Sequence, residues 1–208
     1  MERVASAKAS PRRRTQAERR EATKAALLDA TIDCLVEYGY AGTTTTRVVE
    51  RAGVSRGAQV HHFHTKAELV AEALRHLAQR RLAELREETR RLPTGGDRLA
   101  AALDLLWRNH SGPLFAASLE LWVAARTDTE LRAQLVPVER EVIASIRELL
   151  RDAIGARGFE LDEDTLNIVV TLMLGVGMQT ALLSSPRVAE ASWRSARDRL
   201  IALAESGH

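Results

Sequence analysis

Residues 39–74 read GYAGTTTTRVVERAGVSRGAQVHHFHTKAELVAEAL, and this stretch decides the reading of the chain. Thr43 or Thr44 is placed to cap a short helix over about 45–52, since a Thr hydroxyl accepts from the orphan amides of a first turn. Gly53 then breaks the chain, and Ser55 can cap a second short helix running through about His62. Helices of seven or eight residues do not persist alone in water. The pair must therefore be docked, and Val48, Ala52, Val54 and Phe63 are the apolar residues that can hold it. What such a pair presents outward is its polar face. A short helix, a glycine turn and a second short helix can set the second helix into a major groove, which is wide enough for one helix and shows a distinct edge for each base pair.

The outward residue types suit that task. Thr44, Thr45, Thr46, Ser55 and the backbone amides at the helix starts can bind phosphate. Arg47, Arg56 and Lys66 supply positive charge, and Arg56 and Gln59 can make paired hydrogen bonds to base edges.

Helical periodicity extends to both sides. A first helix is expected over about 15–38, where Ala25, Leu28, Ile32 and Leu35 fall on one face, with Gly39 as its C-terminal cap. Cys34 lies beside that stripe as a small buried hydrophobe, and a lone cysteine allows no internal disulfide. A long helix is expected over about 66–91, with Thr65 and Glu68 as a capping box. Further helices read at about 97–110, 113–126, 129–154, 163–183 and 187–205, with Thr127 and Glu130 as a second capping box. Aromatic residues make up only 4% of the 208, and no stretch alternates cleanly, so the expected class is all-α with about nine helices.

The net charge is +2 but unevenly placed: twelve basic residues face seven acidic ones through Lys66, against 18 and 21 in the remainder. A basic head on a slightly acidic body points to an anionic partner for the head. The chain opens without an apolar segment behind its first charges, and its longest apolar run, 168–178, is too short for a membrane span. A cytoplasmic protein with no membrane partner is the expectation. No glycine-rich phosphate loop or nucleophile signature appears, which argues against an enzyme. His61, His62 and His64 have no nearby carboxylate or cysteine at ligand spacing, so neither a metal nor a cofactor is expected.

With Gly39-Tyr40, Thr43-Thr44, Ala52-Gly53-Val54-Ser55, Gly57-Ala58, His61-His62-Phe63 and Thr65-Lys66 in place, the stretch resembles the DNA-binding segment of the TetR family of transcriptional regulators. That resemblance implies a helix-turn-helix domain over 15–64, preceded by a flexible basic arm at 1–14 and followed by a helical ligand-binding and dimerisation domain over 65–208. It implies that Arg56, Gly57 and Ala58 face bases, that Thr46 and Arg47 face bases or phosphates, and that His61, His62 and Lys66 face phosphates. Two residues depart from the family pattern. Val60 stands where a tyrosine is usual, trading a phosphate contact for an apolar one. Gln59 stands where an apolar residue is common, and either reads an adenine or sits at the domain surface. The Arg12–Arg14 tract either lies along DNA, as arms in this family do, or is solvated.

The resemblance further implies a homodimer on a palindromic operator, its last two helices forming a four-helix bundle. The segment 163–183 is apolar nearly all round, and Gly175 and Gly177 invite close backbone approach, so Met173, Val176 and Gly177, with Trp193, Ala196 and Leu200 on the last helix, are the candidate interface. Family members commonly bind a small molecule in the large domain, which loosens DNA contact. Trp107, His110, Phe115, Leu119, Trp122 and Met178 are the candidate pocket, for an apolar or amphipathic effector of unknown identity. The alternatives are a DNA-binding regulator controlled by a protein partner or its own level, and a basic protein binding DNA without sequence preference.

Overall fold

A computed structural model describes residues 15–93, 98–109, 113–155, 163–183 and 186–206. Among these residues the elements are all helical: α1 (Gln16–Gly42), α2 (Thr45–Ala52), α3 (Arg56–His62), α4 (Lys66–Arg90), α5 (Arg98–Asn109), α6 (Pro113–Ala124), α7 (Thr129–Gly155), α8 (Glu163–Leu183) and α9 (Pro186–Ser206). The basic arm and His110 lie outside the described residues.

Local chemistry sets the boundaries. Thr15 and Glu18 form a reciprocal capping box that starts α1. Gly39 does not end α1 as a simple cap. It takes φ 65° and ψ −178° inside it, and one further turn follows before Thr43 closes the helix, its hydroxyl donating to the Gly39 carbonyl at 2.7 Å. Thr43 therefore serves the end of α1, and Thr44 caps α2. The box expected at Thr65 is split: the Thr65 hydroxyl accepts from the Glu68 amide at 3.1 Å, while the Glu68 carboxylate reaches one residue further back, to the His64 amide at 2.7 Å. Before α7 the cap is Asp128, accepting from the Leu131 amide at 2.9 Å, rather than Thr127. A carboxylate one residue closer to the helix satisfies the same orphan donors and complements the helix dipole.

Three apolar clusters organise the packing. The first joins α1, α2, α3 and the start of α4 through Leu27, Cys34, Val48, Phe63 and Leu69, all nearly solvent-free. It holds the short helices as the anchor residues imply. The second runs through Leu35, Val70, Leu74, Leu121, Leu131 and Leu135, and so joins α1 and α4 to α6 and α7. The third fills the far body, where α4, α5, α7, α8 and α9 meet around Leu103, Leu150, Met173 and Trp193.

Over the second cluster lies a polar joint. The Lys66 ammonium donates to the Tyr40 carbonyl at 2.6 Å and sits 3.9 Å from the centre of the Tyr40 ring. The Tyr40 hydroxyl donates to Asp128 at 3.1 Å, and the Tyr40 amide donates to Glu120 at 3.0 Å. Burial, then the bond to Asp128, pushes the Tyr40 hydroxyl up to about 12.

Gly39 presents this amide to Glu120, and a Cβ there would lie 2.3 Å from the Glu120 carboxylate. Its backbone angles belong to a region that only glycine occupies at low energy. Gly39→Ala should therefore destabilise the protein by about 1–3 kcal/mol and lower its melting temperature by several degrees. Gly53 has ordinary left-handed angles, φ 65° and ψ 31°, with open space around it. Gly53→Asn should cost less than about 1 kcal/mol. Equal losses in calorimetric melts of the two variants would contradict the distinction.

Candidate nucleic-acid interface

α2 is reversed into α3 by left-handed Gly53, whose amide donates to the carbonyl of Glu50 at 3.2 Å. Ser55 starts α3 by accepting from the Ala58 amide at 3.1 Å. These bonds are local and strong enough to set the angle of the pair, while Val48 and Phe63 beneath fix it to α1. The outer surface carries Thr44, Thr46, Arg47, Ser55, Arg56, Gly57, Val60 and His61, all exposed. Thr45, Ala58 and His62 are half-buried at its edges.

The two arginines differ. Arg47 donates to the Gly42 carbonyl at 2.5 Å and lies 4.7 Å above the Tyr38 ring, so its guanidinium is held in one place. Arg51 also flanks Tyr38 and pairs with Glu37. Arg56, at the first position of α3, makes no hydrogen bond or ion pair among the described residues. It projects from the N-terminal end of the helix that would enter a groove, where base edges are reached. His61 and His62 meet edge to face at 5.6 Å. His62 is held below the usual imidazole range, first by burial and then by Arg20 and His61.

Two residues do not stand where the sequence reading puts them. Gln59 is 3% exposed, and its amide donates to the Phe63 carbonyl at 2.7 Å. It neither reads a base nor sits at the surface; it satisfies the last turn of α3 from inside. An apolar residue there would leave that carbonyl to be satisfied otherwise. Lys66 is committed to Tyr40, and burial holds its ammonium below the usual lysine range. It belongs to the joint rather than the outer surface. Tyr38, which seats Arg47 and Arg51, carries no signal in the motif.

Comparison with known proteins agrees with this geometry. The family model for bacterial regulatory proteins of the tetR family matches residues 27–73. An HTH-type transcriptional regulator of Mycobacterium tuberculosis is 37% identical over 163 residues, 78% of this chain and 83% of the relative. The chain belongs to the TetR family. The HTH-type transcriptional repressor AcnR of Corynebacterium jeikeium is 30% identical over 177 residues, 74% of this chain and 93% of the relative. A crystal structure of a transcriptional regulator from Rhodococcus sp. Rha1 superposes with a TM-score of 0.66 at 27% identity, over 88% of this chain and 96% of that one. Like its TetR-family relatives, the chain is an HTH-type transcriptional regulator. Among the described residues no helix is long and apolar enough to cross a membrane.

In the large body of this TetR-family chain, the candidate pocket residues divide. Trp107 is 4% exposed and stacks on Trp193, the rings 5.0 Å apart and 8° from parallel. Phe115 meets Trp122 edge to face at 6.0 Å, and Leu119 is half-buried. Met178 is 47% exposed and points out of the body, so it lines no interior site.

The candidate interface residues need a larger correction. Met173, Val176, Gly177, Trp193 and Leu200 are buried within the single chain, and Ala196 is half-buried. The Trp193 indole donates to Asp104 at 2.8 Å, and Arg197 meets the same carboxylate at 2.7 Å, so α9 is bolted to α5 through this face. The opposite side of α8 is the one left open, through Ile168, Thr171, Gly175 and Met178 at spacings of three and four. Apolar character all round α8 does not say which side the chain covers itself.

Gln59→Leu should lower stability by about 1–2 kcal/mol through the lost bond to Phe63, and leave base preference unchanged. Urea unfolding and site selection on the same variant check both halves; altered base preference would return Gln59 to the DNA.

Proposed function

We propose that this chain is a homodimeric repressor that reads a palindromic operator through the α3 of each protomer and is released by a small apolar or amphipathic effector. The observation that carries the DNA reading is Arg56, with no hydrogen bond or ion pair among the described residues, at the start of an exposed α3 flanked by hydroxyls and amides. Thr44, Thr46 and Ser55 with the helix-start amides suit phosphates, which fix register. Arg56 suits the paired acceptors of a guanine edge, and exposed Val60 suits a thymine methyl. Arg47, already seated on Tyr38, loses little freedom on meeting the backbone. His61 and His62 lie at the far end of α3, where phosphates of the groove wall would pass.

One α3 reads few bases, so useful specificity needs two half-sites. The exposed stripe Ile168, Thr171, Gly175 and Met178 on α8 supports the second copy, with Val188 and Ala191 exposed at the start of α9. Gly175 has open space where a Cβ would be, which lets another helix backbone come close. The repressor AcnR, which this chain resembles over most of its length, supports the sign of regulation. α4 supports the coupling: its first turn belongs to the polar joint, and Leu82 and Leu85 near its other end belong to the third apolar cluster, so a ligand among α4–α8 that shifts it must also move the reading head.

Selection from a random DNA pool at about 0.15 M salt should enrich a palindrome, and Arg56→Ala should weaken that binding by about 1–3 kcal/mol while relaxing one position in each half-site. Binding without enrichment, lost as salt rises, would leave only a non-specific basic surface. Ile168→Glu with Met178→Glu should halve the mass seen by light scattering and abolish operator binding at low protein concentration. A mass unchanged by the pair would move the interface elsewhere.

A further inference from the structure

Within the large body, two half-buried ionisable groups form no ion pair among the described residues, and they differ in whether they can shed their charge. Glu139 on α7 accepts from the Trp122 indole, and burial pushes its carboxyl up. A carboxyl in that position can shed its charge by binding a proton. Arg147, two turns further along α7, has no such exit, because a guanidinium is protonated at any pH a protein meets. Its Nε is buried with no hydrogen-bond partner among the described residues. Its one polar contact among the described residues is from Nη2 to the amide oxygen of Asn167 on α8.

The helix register makes this unmet donor specific. α7 and α8 run antiparallel, and one turn away Arg151 meets the Glu163 carboxylate at 2.7 Å. Stepping four residues back on α7 and four forward on α8 brings Arg147 to Asn167. The position that would complete a second ion pair carries a neutral amide instead. Two carboxylates on these turns are engaged: Glu163 with Arg151, and Glu148 with Arg86 at 3.4 Å. The Arg147 side chain as a whole is half-buried, but its Nε is enclosed, and buried polar atoms without partners are few in native proteins. The flanking turns are apolar, with Leu150, Leu166 and Val170 in the third cluster and Ile143 packed against it.

We propose that Arg147 and Asn167 form an anion anchor between α7 and α8 that takes the carboxylate of an apolar organic acid. The carboxylate would accept from Arg147 Nε and a terminal nitrogen together, the fork that guanidinium offers, and from the Asn167 amide nitrogen. The hydrocarbon part would lie against the aliphatic side chains of the neighbouring turns. This rests on the effector reading above and narrows its class to monoanionic acids with an apolar body.

The test uses the full chain with octanoate and 4-phenylbutyrate, their amides as neutral isosteres, and octylamine as a cation, measured by calorimetry and by release from the selected operator. The acids are expected to bind at least about tenfold more tightly than their amides and to release the operator. Arg147→Met should lose at least about tenfold of the acid affinity, Arg147→Lys should keep part of it, and both should retain the parent's mass and operator binding. Circular dichroism of Arg147→Met identical to the parent's guards against misfolding. Binding of octanamide or octylamine alone overturns the anion anchor while leaving an effector site in place. No binding by any of the five overturns both readings. Acid affinity unchanged in Arg147→Met overturns the anchor, and a halved mass for that variant would overturn it by assigning the arginine to a carboxylate of a second copy.

Discussion

The hydrogen bonds gathered on Tyr40 are the constraint on which the rest of the molecule depends. α1 alone could not orient α2 and α3 relative to a body built on α4–α9. Tyr40 ties the end of α1 to three places at once: its carbonyl to Lys66 at the head of α4, its amide to Glu120 on α6, and its hydroxyl to Asp128 at the start of α7. Each tie is charge-assisted, and those to Lys66 and Asp128 are partly shielded from water, where such bonds are stronger. The apolar cluster beneath, from Leu35 to Val138, seals the joint. The reading head is thus clamped to the elements that surround the body's core, and a displacement of α6 or α7 has a short mechanical path to α3.

The parts of the fold that were legible in the sequence are those written in short-range chemistry. Helix starts announced themselves through Thr44, Ser55 and Thr65, and the α2–α3 turn through Gly53. The exposed outer surface was legible for the same reason: Thr46 on α2, and Arg56 and Val60 on α3, lie on helices too short to bury them. Residues whose partners are distant in sequence were not legible. Lys66 reads as a free cation until Tyr40, 26 residues away, is seen to accept from it. Gln59 reads as a surface amide because nothing in the local pattern says that the end of α3 turns inward. The face of α8 and α9 that the chain keeps for itself was misassigned because an all-round apolar helix has no distinguishing side. Only the bonds from Trp193 and Arg197 to Asp104, about 90 residues away, settle it.

The large body treats its charges unequally, and the contrast is informative. Asp104 neutralises Arg197 while also satisfying Trp193, so one carboxylate serves two donors on α9. Arg75 and Arg86 on α4 reach carboxylates of α7 across the helix pair. Against this habit of pairing, the amide opposite Arg147 stands out, as does Glu139, which meets the Trp122 indole rather than a cation.

Cys34 has a consequence of a different kind. It is the one thiol in the sequence, it is solvent-free in the cluster beneath α2 and α3, and burial, ahead of its charged neighbours, raises its pKa. Thiolate, not thiol, reacts with alkylating reagents, so a closed reading head should be chemically silent. The head therefore carries its own clock. The rate at which Cys34 becomes labelled measures how often α1–α3 open, separately from the melting of the larger body, and needs no introduced probe.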